Sequence, residues 1–300
     1  MTGHRLRPRH LGLALAFSAL GLIPSARAAE ATPPGPIGMV DQPCLAGAYG
    51  RSPEMLAFAV AAVADGPVDG KAMAALAKDA PERARLDAWR EKNDWADLCR
   101  YRLDNAEVLK AGPVRVVFLG DSITELWRAA DPAFFSGGVV NRGISGQTSG
   151  QLLIRFEQDV VALHPKAVHI LIGTNDVAGN NGPERPEDLK NNLRAMVAIA
   201  RTNHIRVILG AIPPAGTFSW RPALHPAAQI VELNTWIAAY AKAQGLALVD
   251  YHMALAGPDG AMKPGVSRDG VHPLKSGYAL MKPLAEKAIG GPALGRAGRP

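Results

Sequence analysis

The chain of 300 residues is 48% hydrophobic and 20% charged, a balance that excludes wholesale disorder and supplies enough apolar side chains for one principal core. Its net charge of +6 is inflated by Arg5, Arg7, Arg9 and Arg27, which fall in the first 28 residues; subtracting these four leaves +2. The sequence has no basic stripe interleaved with aromatics, which speaks against nucleic acid as a partner.

Those arginines belong to a pattern. Arg5, Arg7 and Arg9 precede an apolar run over residues 11–23, and Ala26-Arg27-Ala28 then gives the small-x-small site that signal peptidase cuts. Residues 1–28 are therefore expected to be a Sec-type signal peptide, and the mature protein to be periplasmic or secreted. The run is too short to cross ~30 Å of hydrocarbon as a helix, and no cysteine follows it to carry a lipid, so no stable membrane anchor is expected.

Pro33, Pro34 and Pro36 with Gly35 and Gly38 read as a linker, with order expected from about Asp41. Apolar stretches at 55–63 and 72–76, separated by Asp65-Gly66 and Asp69-Gly70, predict helices within an extension over residues 29–112. Trp89, Trp95, Leu98 and Tyr101 are expected to dock that extension onto the main domain. Cys44 and Cys99 permit one disulfide closing a long loop, or two buried thiols; their spacing resembles no zinc site.

From residue 113 to 290 short β-branched runs alternate with longer amphipathic segments, the pattern of strand, helix, strand about a parallel sheet. Strands are predicted at 114–119, 138–141, 167–172, 206–211 and 246–249, with helices at 151–163, 186–202, 226–244 and 275–289. The fold class is α/β: a three-layer α/β/α sandwich on a five-stranded parallel sheet, with a Gly/Pro-rich tail from 291. In such sheets a ligand sits beyond the carboxyl ends of the strands.

The loops expected at that edge carry the chemistry. Gly120-Asp121-Ser122-Ile123 puts a serine on the turn into a helix, where backbone N–H groups can face a developing oxyanion. Asn141-Arg142-Gly143-Ile144-Ser145-Gly146 follows the second strand, and Gly173-Thr174-Asn175-Asp176 the third. A glycine there lets an N–H approach substrate, and Asn175 offers an amide with two donors. Asp269-Gly270-Val271-His272-Pro273 sets a carboxylate three residues before a histidine, so that one imidazole nitrogen can take a serine proton while the other N–H is held. No other histidine shares that context, and all are expected to be structural.

Taken in order, these segments resemble the four blocks of the SGNH (GDSL-type) hydrolases, over roughly residues 114–288, with Ile123 where that family often has leucine. The resemblance implies a flavodoxin-like sandwich, Ser122, Asp269 and His272 as catalytic residues, and Ser122, Gly143 and Asn175 as oxyanion donors. Asp121, Arg142 and Asp176 are expected to hold the loops. An acyl-enzyme mechanism follows, with neither a metal nor an organic cofactor required. Family substrates include lipid acyl esters, polysaccharide O-acetyl groups and thioesters, and export favours the first two. Phe218 and Trp220, in a loop after the fourth strand, either stack on a sugar ring or pack beneath the loop. A short-acyl carbohydrate esterase is the expectation. A lipase or lysophospholipase-type hydrolase, a glycan O-acetyltransferase and an inactive carbohydrate-binding homologue stay open. A two-metal phosphoesterase would need several Asp and His ligands converging on the metals, but Gly173-Thr174-Asn175-Asp176 has no histidine and only His272 is placed for chemistry.

Overall fold

A computed structural model describes residues 38–45, 49, 52–67 and 70–291. The signal predicted over 1–28, the first part of the linker and all of the tail but Gly291 lie outside the described residues.

Three helices come first: α1 (Pro53–Val63), α2 (Gly70–Asn93) and α3 (Arg102–Ala111). Ser52 caps α1 by accepting from the Met55 N–H, and Pro53 occupies the helical start, where its missing N–H has no partner to lose. The main domain then runs β1 (Val116–Gly120), α4 (Ser122–Ala130), β2 (Val139–Gly143), α5 (Ser149–Asp159), a 3-10 turn at Val161–Leu163, β3 (Ala167–Leu171), α6 (Thr174–Ala178), α7 (Pro186–Thr202), β4 (Arg206–Gly210), α8 (Ala227–Gln244), β5 (Ala247–Val249), α9 (Tyr251–Leu255) and α10 (Lys275–Gly290). Every strand pairing is parallel, in the order β2-β1-β3-β4-β5.

The predicted sandwich is present because the central strands are covered on both faces. Along β1, Val117 and Leu119 join one apolar cluster with Leu152, Phe156, Leu193, Met196 and Ile230 from α5, α7 and α8. Val116 and Phe118 join the other, with Ile123 and Trp127 of α4, Tyr278 and Met281 of α10, and Ala59 and Val63 of α1. This two-sided burial is why β1 reads as a continuous apolar run. The chain steps from β1 to β2 on one side and then returns past β1 to β3 on the other, so a crevice opens at the carboxyl ends of these parallel strands.

The extension is fastened to this body. Cys44 and Cys99 form a disulfide, one of the two states the sequence left open. Trp89 and Tyr101 are buried as expected, but Trp95 is 44% exposed. Its ring edge comes near Gly150, where an added Cβ would meet Cη2 at 3.8 Å. No helix among the described residues is long and apolar enough to cross a membrane.

Candidate active site

β1 ends at Gly120 and the chain enters α4 two residues later. Gly120 is needed for close approach rather than for an unusual turn: a Cβ there would stand 2.1 Å from Thr124 Oγ1 and 2.6 Å from Leu171 O. Asp121 caps α4, its Oδ1 accepting from the Ile123 N–H at 2.9 Å. Ser122 is the first helical residue, buried at the base of the crevice, and no protein acceptor meets its N–H among the described residues.

The loop before α10 brings the second half of the site. Asp269 Oδ1 accepts from the N–H groups of Val271 at 2.9 Å and His272 at 2.8 Å, which folds the loop back on itself. Asp269 Oδ2 lies 2.6 Å from His272 Nδ1, and His272 Nε2 lies 2.9 Å from Ser122 Oγ. With Nδ1–H held by the carboxylate, Nε2 presents its lone pair to the hydroxyl. Burial would raise the Asp269 pKa, yet the charge and hydrogen bonds of His272, with the Val271 N–H, hold it well below the usual carboxylate range. It is therefore ionised wherever the imidazole can act as a base.

The glycine predicted as an oxyanion donor is placed differently. Gly143 donates its N–H to Asn141 Oδ1 at 2.9 Å, and its carbonyl accepts from Tyr101 Oη at 2.5 Å. Its lack of a side chain serves packing, since a Cβ would stand 2.2 Å from the backbone nitrogen of Glu125. Gly146, three residues on, has φ +82°, open space at its Cβ position and an N–H that meets no protein acceptor among the described residues. It adjoins Gln147, whose carbonyl accepts from Asn175 Nδ2 at 3.0 Å, so this turn and not Gly143 offers a free donor beside Asn175. The other reach of Asn175 Nδ2, to Asp121 Oδ2, is 3.4 Å long and leaves that N–H available to a better acceptor.

Asp121, Arg142 and Asp176 all hold loops. Burial pushes the Asp121 carboxyl up to about 6, against the pull of the Ile123 N–H and His272, and pushes Asp176 up to about 7. Asp176 accepts from the Ser149 N–H at 3.0 Å and so tethers the start of α5 to the Asn175 turn. Arg142 donates to Asn105 Oδ1 and Asn141 O and pairs with Asp104, tying β2 to α3. Arg155, not singled out in the sequence, is fully buried. It donates to Gly120 O at 3.0 Å, Arg142 O at 2.8 Å and Gln147 Oε1 at 2.6 Å, joining the ends of β1 and β2 to the Gly146 turn.

The two aromatic residues of the 213–220 loop separate. Phe218 is fully buried and cannot line a substrate cleft; it packs under Trp220, with ring centres 5.1 Å apart. Trp220 is half-buried with its ring centre 6.4 Å from that of His272, and its Nε1 donates to Asn180 Oδ1 at 3.0 Å. Among the described residues no group of three or more His, Cys, Asp or Glu side chains could hold a metal ion.

The sequence matches the GDSL-like lipase/acylhydrolase family over residues 118–280, and the chain belongs to that family. A candidate acylhydrolase of Bacteroides fragilis superposes with a TM-score of 0.63 at 42% identity, covering 65% of this chain and 97% of that one. A GDSL-like lipase of Bacteroides thetaiotaomicron gives the same score and identity, covering 65% and 98%. An acetylxylan esterase of Geobacillus stearothermophilus is 37% identical over 87 residues, an alignment covering 21% of this chain and 40% of that protein. The chain thus spans well under half the length of that curated relative.

Sequence reasoning missed Gly146, Arg155 and Asn180. Gly146 stood within the quoted Asn141–Gly146 segment, but only backbone geometry separates a packing glycine from one that frees an N–H. Arg155 and Asn180 carry no local signal, because the partners that define their roles lie as far as 35 residues away for Arg155 and 40 residues away for Asn180.

Proposed function

We propose that this protein is a serine carboxylic ester hydrolase acting on short-acyl, chiefly acetyl, esters of carbohydrates. The observation that carries the reading is the unbroken relay from Asp269 Oδ2 through His272 to Ser122 Oγ at 2.6 and 2.9 Å. His272 takes the Ser122 proton as Oγ attacks the ester carbonyl. The resulting oxyanion is met by the N–H groups of Ser122 and Gly146 and by Asn175 Nδ2. His272 then returns the proton to the leaving alcohol, and water repeats the sequence on the acyl-enzyme.

The carbohydrate preference is supported by the half-buried Trp220 ring beside His272, an apolar platform for a sugar face, and by the resemblance to an acetylxylan esterase. Export by the signal read at residues 1–28 would bring the enzyme to extracytoplasmic glycans.

The test is hydrolysis of p-nitrophenyl esters of increasing acyl length and of acetylated xylo-oligosaccharides by the wild type and Ser122→Ala. The reading expects acetyl esters to turn over fastest, with activity abolished in the variant. Faster cleavage of long-chain esters would overturn the substrate class, and an active Ser122→Ala would overturn the mechanism.

A further inference from the structure

The Asp269–His272 loop is gripped at both ends by one turn of the N-terminal extension. Arg268, the residue before Asp269, reaches across to the C-terminal end of α1. Its Nη1 donates to Ala62 O at 2.8 Å and Ala61 O at 3.3 Å, its Nη2 to Ala64 O and to Gly66 O at 2.5 Å, and its Nε to Gly66 O at 3.2 Å. The last carbonyls of a helix have no partners within it and carry its negative dipole end, so they suit a guanidinium. α1 has no basic residue in its own last turn, and Arg268 fills that role from more than two hundred positions away.

The reciprocal arrangement holds the far side of the loop. Asp65, in the same turn after α1, accepts from the Ser276 N–H at 3.1 Å through Oδ1. Ser276 lies in the first turn of α10, a helix whose own N-cap position, Leu274, supplies no side-chain cap. An acidic group there satisfies an orphan donor and complements the positive end of α10. Residues 61–66 thus supply a C-terminal anchor for Arg268 and an N-terminal cap for α10, and the acid–base pair hangs between them. α1 itself is seated in the core by Ala59 and Val63, so the grip has a rigid base. All of α1 lies outside the span matched by the family, 118–280.

We propose that the turn after α1 is a positioning element for the active site, with Arg268 as its principal positioning residue and Asp65 as its lesser one. This rests on the reading of His272 as general base. Arg268 keeps Asp269 and His272 at hydrogen-bonding distance from each other and from Ser122 Oγ, and releasing it lets the loop drift. A displacement of about 1 Å at a reacting group can cost on the order of 100-fold in rate.

The experiment compares full-length wild type, Arg268→Met, Arg268→Lys, Asp65→Ala and Ser122→Ala in p-nitrophenyl acetate hydrolysis, thermal melting and the low-field proton NMR signal of His272 Nδ1–H. The expected result for Arg268→Met is a kcat loss of about 10- to 100-fold with KM nearly unchanged. Its low-field signal broadens or disappears, while its melting temperature stays far above the assay temperature. Arg268→Lys recovers part of both, and Asp65→Ala, whose bond is exposed, shows the smaller loss. Wild-type kcat and an intact signal in Arg268→Met would overturn the proposal, as would a kcat loss that only tracks the fraction unfolded. If Arg268→Met does not fold, Arg268→Lys and Asp65→Ala decide on the same two readouts. Activity surviving in Ser122→Ala would strike the parent reading alone, because the NMR signal reports the Asp269–His272 pair without reference to turnover.

Discussion

Asn180 Nδ2 donates to Asn175 Oδ1 at 2.5 Å, which fixes the orientation of the Asn175 amide and turns its NH2 toward Gln147 O and Asp121. Asn180 Oδ1 in turn accepts from Trp220 Nε1 at 3.0 Å, so the proposed oxyanion amide and the aromatic wall share one support. Asn180→Ala is expected to lower kcat about 10-fold through a loosened Asn175 and to raise KM through a loosened Trp220, whereas Trp220→Phe, which removes the indole N–H and narrows the ring but leaves Asn180 beside Asn175, should change KM and leave kcat nearly intact. Steady-state kinetics on an acetylated oligosaccharide separates the two, and an unchanged kcat in Asn180→Ala would show that Asn175 needs no such support.

Asp269→Asn should leave the fold intact and remove the reason for His272 to carry its proton on Nδ1. The corresponding exchange in a serine protease lowers kcat by about 10⁴, and a loss of similar order is expected here. The measurement is kcat for p-nitrophenyl acetate, with circular dichroism as control. A loss under about 10-fold would mean that the 2.6 Å bond does not set the tautomer.

Gly143 and Gly146 should answer differently to alanine. At Gly143 the new methyl would stand 2.2 Å from Glu125 N and 2.7 Å from Glu125 Cα, a clash with backbone that can be relieved only by moving α4, so Gly143→Ala is expected to destabilise by about 1–3 kcal/mol or more. At Gly146 the space is open but φ is +82°, so Gly146→Ala should cost about 1–2 kcal/mol of strain, fold, and lose activity as the turn relaxes and its N–H is redirected. Thermal melts and kinetics of both variants decide; a stable Gly143→Ala with no oxyanion stabilisation would restore Gly143 to the donor set.

The disulfide between Cys44 and Cys99, 55 positions apart, closes a loop whose cross-link is worth about 4 kcal/mol in the chain-entropy model. Reduction is expected to lower the melting temperature clearly. It should also loosen the 95–101 segment, whose Trp95, Ala96 and Leu98 carbonyls accept from Gln151, Gln147 and Gln158. Melting with and without dithiothreitol, compared with a Cys44→Ala/Cys99→Ala chain, measures this; equal melting temperatures would leave the bond without a stabilising role.

The sheet was legible in the sequence because both faces of β1, β3 and β4 are covered, so each strand is mainly apolar, with the buried His169 as the polar exception within β3. Helix ends at Pro186 and Thr202 were equally plain, since proline starts and a polar run stops that segment. The short helices α6 and α9 were not, because five residues cannot display a helical period. Within the site, Ser122, Asp269 and His272 stood out through local spacing. Arg268, Arg155 and Asn180 did not, because their roles are defined by partners brought near only when the sheet closes. Trp95 misled for a related reason: an aromatic on a short segment is usually covered, and here the neighbour is a glycine too small to cover it.

Asp176 offers a test on stability rather than activity. Burial is the main cause that raises its pKa from 3.8 to about 7, with Glu184 adding repulsion and Ser149 opposing. The folded chain therefore holds this proton more tightly than the unfolded chain does. The stability that this group contributes is present in full below the unfolded value of 3.8 and is lost as pH rises through about 7. Asp176→Asn keeps an Oδ1 that can accept from the Ser149 N–H but cannot ionise. Relative to the wild type it should gain stability steadily between about pH 4 and about pH 7, by at most about 1.4 kcal/mol per pH unit, with no further gain above. Asp121, Asp269 and the remaining carboxylates titrate in both chains and cancel in the difference. Urea denaturation of the pair across this range is the measurement, and a difference that stays constant with pH would show that Asp176 is ionised throughout and is stabilised at the start of α5 more strongly than its burial implies.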